Sequence, residues 1–339
     1  MPAGSAPSWR MESDRVGGLA RRLRLTTAAR RAIVRGGFIT LNYHHADRAG
    51  LAAHLAYLSA RFKLVPLEES LEPVATRAHG RPRVAITFDD GYRDVYADAL
   101  PVAETWRAPI AVFVVTRFVG TDNQFWWDRL QAAAAGTHRR SIDLAGHTHL
   151  LEGAAARARF CATVSRCVRT LPSPEAATLL ERVIAELVDS AVPSTSSAPG
   201  AQLLDWPQLR DMCARGVCVG SHTETHPVLS RLRPTEARAE LERSRETLAT
   251  HLGTPPEFLA YPHGQPADVG QEVVALTRAA GYRAAFSTVS RPGPAKQDAD
   301  RYFLPRTPAD TREPINVLAL RVSGLWPLVA WLRRYFAGG

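Results

Sequence analysis

The sequence is short of several features that would mark a specialised chain. It holds four cysteines in 339 residues (Cys161, Cys167, Cys213 and Cys218) and no CxxC pair. That density is too low for a disulfide scaffold, so free thiols are expected. No apolar run reaches the roughly 20 residues that span a bilayer. The best, Val322 to Leu332, is shorter and contains Pro327. No apolar stretch of about 7–15 residues follows the basic N-terminus, so no signal peptide is expected and a cytoplasmic location is. No repeat recurs at a period of about 20–50 residues, which excludes solenoids and propellers. What remains is ordinary globular composition, 45% hydrophobic and 22% charged. The length fits two domains or one large α/β domain with an insertion.

Charge is also scarce where a nucleic-acid-binding core would need it. The net charge is +9. Residues 1–36 carry eight arginines against Glu12 and Asp14, giving +6, and Arg321, Arg333 and Arg334 near the C-terminus give the other +3. The middle of the chain is balanced, so no nucleic-acid partner is expected. The basic ends suit an anionic surface.

Residues 1–36 read as an arm with a short basic helix around Leu19–Val34. From Phe38 onward, short β-rich runs alternate with helical stretches. The runs are Phe38–Tyr43, Phe62–Leu67, Val84–Phe88, Ile110–Val115, Val217–Gly220, Phe258–Tyr261, Ala284–Thr288 and Tyr302–Leu304. Helical periodicity lies between them, as in Thr235–His251, where Leu241, Leu248 and His251 share a face. This alternation predicts a parallel sheet or barrel. It stops over about 121–200, an Ala- and Arg-rich segment of helical period that reads as an insertion. Trp126 and Trp127 there either anchor the insertion or face a sugar groove. His147 and His149 read as surface residues. The expected organisation is an arm at 1–36, a catalytic domain at 37–310 with that insertion, and a C-terminal amphipathic helix at 311–339. The stretch Ser323–Phe336 mixes aromatic, aliphatic and Arg residues as an interfacial membrane helix does, and so offers a peripheral membrane contact. The competing reading packs it against the barrel.

Two patterns carry chemistry. Val84-Ala-Ile-Thr-Phe-Asp-Asp-Gly-Tyr92 ends an apolar strand in adjacent carboxylates, which repel unless a cation or a shared proton compensates. Gly220-Ser-His-Thr-Glu-Thr-His-Pro227 follows another short strand, and its two histidines, four apart, would face one side of a helical turn. Glu224 does not directly follow His222, so this is not a zincin HExxH. One carboxylate and two imidazoles form a three-ligand set with a position left for water, and the other carboxylate is free to act as base. Both patterns sit at strand C-termini, where α/β barrels build their sites. A 2-His-1-carboxylate Fe(II) oxygenase would leave the second Asp unexplained.

With these motifs the sequence resembles the polysaccharide deacetylases of the NodB-homology type, carbohydrate esterase family 4. Thr87-Phe-Asp-Asp-Gly91 matches the first family motif and Ser221-His-Thr-Glu-Thr-His-Pro227 the second. Phe258-Leu-Ala-Tyr-Pro-His-Gly264 is similar to the third. Leu41-Asn-Tyr-His-His45 and Leu204-Asp-Trp-Pro-Gln-Leu209 resemble flanking family segments. The resemblance implies a distorted (β/α)7 barrel. It implies Asp89 as general base, and Asp90, His222 and His226 as ligands of Zn²⁺ or another divalent ion. Tyr261 and His263 would lie on the substrate, with a backbone N–H near His263 helping to hold the oxyanion. Three departures stand out. The arginine that often orients the base is Ala260 here, the residue after the third motif's proline is His263 rather than Tyr, and no late Leu-x-Leu-His supplies a general acid. Arg301-Tyr-Phe-Leu-Pro-Arg306 occupies that late region. His44 is the first candidate for the acid and His263 the second. The expected activity is metal-dependent removal of N-acetyl groups from an amino-sugar glycan or glycan precursor. The alternatives are O-acetyl ester hydrolysis and a catalytically weak carbohydrate-binding protein.

Overall fold

A computed structural model of the chain describes residues 14, 18, 25–33, 37–72, 81–171, 173–188, 202–290 and 301–326. These fall into two compact units: residues 122–202, and a larger one built from the rest of the described chain.

The larger unit includes the N-terminal helix α1 (Leu25–Ile33), which takes up part of the basic helix expected at Leu19–Val34. Strand β1 (Phe38–Tyr43), helix α2 (Arg48–Ser59), and strands β2 (Lys63–Leu64) and β3 (Arg83–Phe88) follow. A short helix α3 (Leu100–Thr105) leads to β4 (Ile110–Val114). The expected strand at Phe62–Leu67 shrinks to β2 because Leu67–Leu71 forms a 3₁₀ turn behind Pro66.

The insertion is a unit with its own core. It holds α4 (Trp126–Gly136), β5 (Ser141–Leu144), β6 (His147–Leu150), α5 (Ala154–Thr170) and α6 (Ser173–Leu187). Leu130, Leu144, Leu151, Phe160, Val164 and Val183 pack together inside it. The purely helical expectation is corrected, because β5 and β6 form an antiparallel hairpin. Trp126 packs on this core, and Trp127 stacks on Phe125 at 4.4 Å, which favours the anchoring role. His147 is exposed and His149 partly so, as expected.

The larger unit resumes with α7 (Trp206–Ala214), whose Asp205 and Gln208 form a reciprocal capping box. Then come β7 (Cys218–Ser221), α8 (Pro234–Leu252), β8 (Phe258–Ala260), α9 (Pro266–Ala279), β9 (Ala284–Phe286), β10 (Thr307–Pro308) and α10 (Ile315–Arg321). The eight-stranded sheet is parallel throughout and runs β10-β1-β3-β4-β7-β8-β9, with β2 beside β3. Residues 304–308 join its two edges. Leu304 exchanges backbone hydrogen bonds with Ala285 and Ser287, and Thr307–Pro308 pair with Leu41–Asn42. The sheet therefore curls into the distorted α/β barrel that the resemblance implies. The expected strand at Tyr302–Leu304 is reduced to the single bridge at Leu304, and the pairing has moved to β10.

Side chains alternate along each strand. Ala85, Ala111, Phe113, Phe258, Ala260, Ala284, Phe286 and Leu304 fill the interior. Ile39, Leu41, Val84, Ile86, Phe88, Val112 and Val114 pack outward with Leu51, Leu55, Leu58 and Leu209. Gly220 belongs to the interior row, and a Cβ there would lie 2.5 Å from the Phe113 ring. At the strand C-termini the interior rows continue as polar side chains, Asn42, Thr87, Asp89, His222 and Arg306.

Helix α10 is buried through Val317, Leu318, Ala319 and Leu320. Residues 327–336, the greater part of the expected membrane-contacting helix, lie outside the described residues, as does most of the N-terminal arm. Among the described residues, no helix is long and apolar enough to cross a membrane.

Candidate active site

Asp89 extends β3 by one residue, its N–H donating to the Tyr43 carbonyl at 2.8 Å. Two residues beyond Thr87, it keeps the interior parity and is 1% exposed. Arg306, on the segment that closes the barrel, is wholly buried and meets it as a fork. Its Nη1 donates to Asp89 Oδ1 at 2.6 Å and its Nη2 to Oδ2 at 2.7 Å. Asn42 Nδ2 also donates to Oδ2. Arg306 is itself held, with Nε on the Ser287 carbonyl at 3.1 Å and the guanidinium over the Phe113 ring at 5.3 Å. Burial alone would push the Asp89 pKa up. The charges of Arg306 and His222, with the Arg306 hydrogen bonds, outweigh it and hold the carboxyl below its ordinary value. Sequence reasoning missed this residue. An arginine absent at Ala260 thus reaches Asp89 from position 306, just before β10.

Asp90 turns the other way. Its φ of 70° and the 80° of Gly91 bend the chain sharply after the strand. An aspartate tolerates this region better than most residues, and strain of this kind clusters at functional sites. The turn brings Asp90 Oδ1 to 3.5 Å from both His222 Nε2 and His226 Nε2.

His222 continues β7, with its N–H on the Val114 carbonyl at 2.8 Å. Its Nδ1–H donates to the Ala260 carbonyl at 2.7 Å, which fixes the tautomer that leaves the Nε2 lone pair towards Asp90. Burial lowers its pKa to about 4, so the ring is neutral at pH 7. Burial, with the charges of His222 and His263, also lowers His226 well below the usual imidazole value. The two histidines meet through a loop, which corrects the expected helical turn. Thr223 and His226 take φ values of 69° and 65°, which no α-helix allows.

Ligand atoms of Asp90, His222 and His226 lie within 4.8 Å of one another. One buried carboxylate and two neutral imidazoles, one pinned by a backbone carbonyl, match the donor set of a divalent ion such as zinc. The residues present therefore fit the metal that the resemblance implies.

His44 stands at the mouth after β1, with its side chain reaching solvent. Desolvation by its neighbours is the largest influence and lowers its pKa, while Asp89 opposes it. Its charge is also felt at His222 and His226, so it shares their site. The His263 ring stands edge-on to His226, with centroids 5.1 Å apart. Its φ is 60°, and its carbonyl accepts from Thr288 Oγ1 at 2.5 Å. Tyr261 corrects an expectation. It is fully buried, packs with Leu229, Leu241 and Val273, and donates its hydroxyl to the Tyr302 carbonyl at 2.9 Å. It has the outward parity of Leu259, so its side chain belongs to the core and not to the substrate.

The polysaccharide deacetylase family pattern matches residues 76–285. YxkH of Bacillus subtilis (strain 168), a polysaccharide deacetylase by name, is 21% identical over 256 residues. That alignment covers 75% of this chain and 62% of YxkH, less than two thirds of the relative. IcaB from Ammonifex degensii superposes with a TM-score of 0.53 at 19% identity, covering 85% of this chain and 97% of that one. The Streptococcus pyogenes deacetylase PplD, solved in complex with acetate, gives 0.52 at 17% identity, with 83% and 96% coverage. BC0361, a polysaccharide deacetylase from Bacillus cereus, gives 0.52 at 16%, with 84% and 69% coverage. These structures share the fold, and the matched span takes in Asp89, Asp90, His222 and His226. On that span the chain belongs to the polysaccharide deacetylase family.

Proposed function

We propose that this protein is a metal-dependent hydrolase that removes N-acetyl groups from an amino-sugar glycan or glycan precursor. The observation that carries the reading is the pairing of roles at 89 and 90. One carboxylate is clamped by Arg306 at the bottom of the mouth, and its neighbour is turned onto two histidines. Asp90, His222 and His226 would hold a divalent ion, which would supply Lewis acidity and lower the pKa of water towards about 7.

The chain's own residues supply the rest. Asp89 is anionic and fixed by three donors. Its Oδ1 carries a single hydrogen bond and keeps a lone pair for the proton of the attacking water. Arg306 and Asn42 prevent the carboxylate from swinging away, so proton transfer takes place in one geometry. To a backbone N–H near His263 we assign donation to the oxygen of the acetyl carbonyl as charge develops there. To His44, exposed after β1, we assign protonation of the departing sugar amine.

Acetate release from N-acetylglucosamine oligomers, peptidoglycan fragments and acetylated xylan, each with and without added Zn²⁺, tests the proposal. Zinc-dependent release from the amino-sugar substrates is expected. Release from xylan alone would make the protein an O-acetyl esterase, and binding without release would make it a carbohydrate-binding protein.

A further inference from the structure

The two histidine ligands are joined by a loop that a polypeptide does not adopt unaided. Thr223 and His226 are both non-glycine residues at positive φ. Such residues are strained and persist only where the surroundings over-determine them. Within the loop, Ser221 Oγ accepts from the Thr223 N–H and Thr223 Oγ1 from the His226 N–H, both at 3.1 Å. The remaining two residues, Glu224 and Thr225, are held from α8.

Helix α8 buries Ala237, Leu241, Ser244 and Leu248 as its inner stripe. Glu240 lies beside that stripe, at the edge facing the loop. Its Oε2 accepts from the Glu224 N–H at 2.9 Å and the Thr225 N–H at 2.8 Å, and its Oε1 accepts from Thr225 Oγ1 at 2.6 Å. Three donors on one carboxylate fix two of the four peptide planes between the ligands, which the Thr116 and Arg117 N–H groups hold from the carbonyl side at 3.2 and 3.0 Å. One turn on, Arg243 approaches the Glu224 side chain at 3.6 Å, and Arg117 binds that same carboxylate at 2.6 Å. The Arg243 contact is long and solvent-exposed, the class of ion pair that contributes little. The Glu240 contacts are short and fix the backbone.

We propose that Glu240 is a positioning residue that sets the affinity of the site for its ion by holding residues 224–225 in the course that presents His226 to Asp90 and His222. The proposal rests on the metal-site reading above. Groups hydrogen-bonded directly to a metal ligand typically change metal affinity by about 10–100-fold when removed, and Glu240, which acts one step further out through the backbone, belongs at the lower end of that range. Glu240→Ala is the sharpest substitution, because it leaves the Glu224 and Thr225 N–H groups without this acceptor, whereas a glutamine can keep its amide oxygen on both N–H groups and turn its nitrogen to the Thr225 hydroxyl.

The experiment is a zinc titration against a chromophoric chelator, using metal-free full-length protein. It compares wild type with Glu240→Ala, Thr225→Val and Arg243→Ala, and adds Co²⁺ absorption spectra as a second readout. Glu240→Ala should weaken zinc by about 10-fold and alter the cobalt spectrum. Thr225→Val, which loses only the hydroxyl contact, should show a smaller loss, and Arg243→Ala should remain near wild type. If Glu240→Ala is poorly folded, the Thr225→Val titration carries the test. Unchanged zinc affinity in both Glu240→Ala and Thr225→Val would overturn the proposal. So would an equal loss in Arg243→Ala, which would make the effect one of general charge. A wild-type protein that binds no zinc would instead overturn the reading beneath it.

Discussion

Asp89 and Asp90 are neighbours in sequence with opposite surroundings, and substitution should separate them. Asp89→Asn should abolish turnover with metal content nearly intact, whereas Asp90→Asn should lose the metal as well. Elemental analysis alongside acetate release checks this, and equal stoichiometry with similar residual activity would count against the division of roles. Arg306→Lys keeps a charge but loses the fork, so it should cut kcat far more than KM. Arg306→Ala leaves Asp89 buried and unpaired and should destabilise the fold by about 3–5 kcal/mol. His222 carries a pH signature. Its folded pKa, lowered to about 4, lies below the unfolded value of 6.5. Stability of the metal-free protein is therefore fully present above pH 6.5 and is lost as pH falls towards 4. At about 1.36 kcal/mol per unit, the loss is on the order of 3 kcal/mol. Acid denaturation of metal-free wild type against His222→Gln measures it, and identical acid limbs would refute it. Asp89, Asp90, His222 and His226 were legible because each lies in a short, ordered motif behind an apolar strand. Arg306 was not, since its partner is 217 positions away. Its one signal was a charge with the parity of Leu304 in an otherwise apolar stretch. Tyr261 was misassigned by ignoring the same parity, which groups it with Leu259.

Strands here do more than supply a frame, because the interior rows of β1, β3 and β7, and that of the closing segment, run out at the site in a polar side chain within two to four residues of the last interior apolar one. Gly220 shows how tightly this is set. Gly220→Ala would force the Phe113 ring to move, and Phe113 lies under Arg306. Overpacking of this kind typically costs about 1–3 kcal/mol. The variant should lower the unfolding midpoint and weaken metal binding through His222, two residues on. A variant with wild-type metal affinity would show that the row tolerates the shift. The alternation of strands and helices was readable because β-branched runs and capped helices are local signals. Loop conformation was less so. Spacing by four made a helical turn the natural reading of His222 and His226, and only the hydrogen bonds from α8 and the positive φ values decide for a loop. The β5–β6 hairpin was hidden in the same way. Its turn places Ala145 and Gly146 at φ values of 52° and 79°, the pattern of a type I′ turn, where alanine is an unusual first residue.

For the molecule as a whole, a ligand that binds only the folded chain adds RT ln(1 + [L]/Kd), about 2.7 kcal/mol at a hundredfold excess over Kd. At about 2.1 cal/mol/K per residue, a chain of 339 residues shifts its midpoint by about 1.4 °C for each kcal/mol. Zinc added to metal-free protein should therefore raise the unfolding midpoint by about 4 °C, and EDTA should reverse the rise. Asp90→Asn should show neither effect, and a wild-type midpoint indifferent to zinc would argue against a bound ion. Barrel closure by residues 304–308 has a bearing on how the protein is made. On a growing chain, the proposed metal ligands and Asp89 have all been made once residue 226 is synthesised, yet the arginine that steadies Asp89 comes 80 positions later. Closing that contact costs about 1.4 kcal/mol more chain entropy than closing the 47-residue contact between Asn42 and Asp89. A chain ended at residue 300 would keep every metal ligand and Asp89 but leave that buried carboxylate without its counter-charge. Synthesis past Arg306 would thus be a condition for the proposed hydrolysis that metal loading alone could not satisfy.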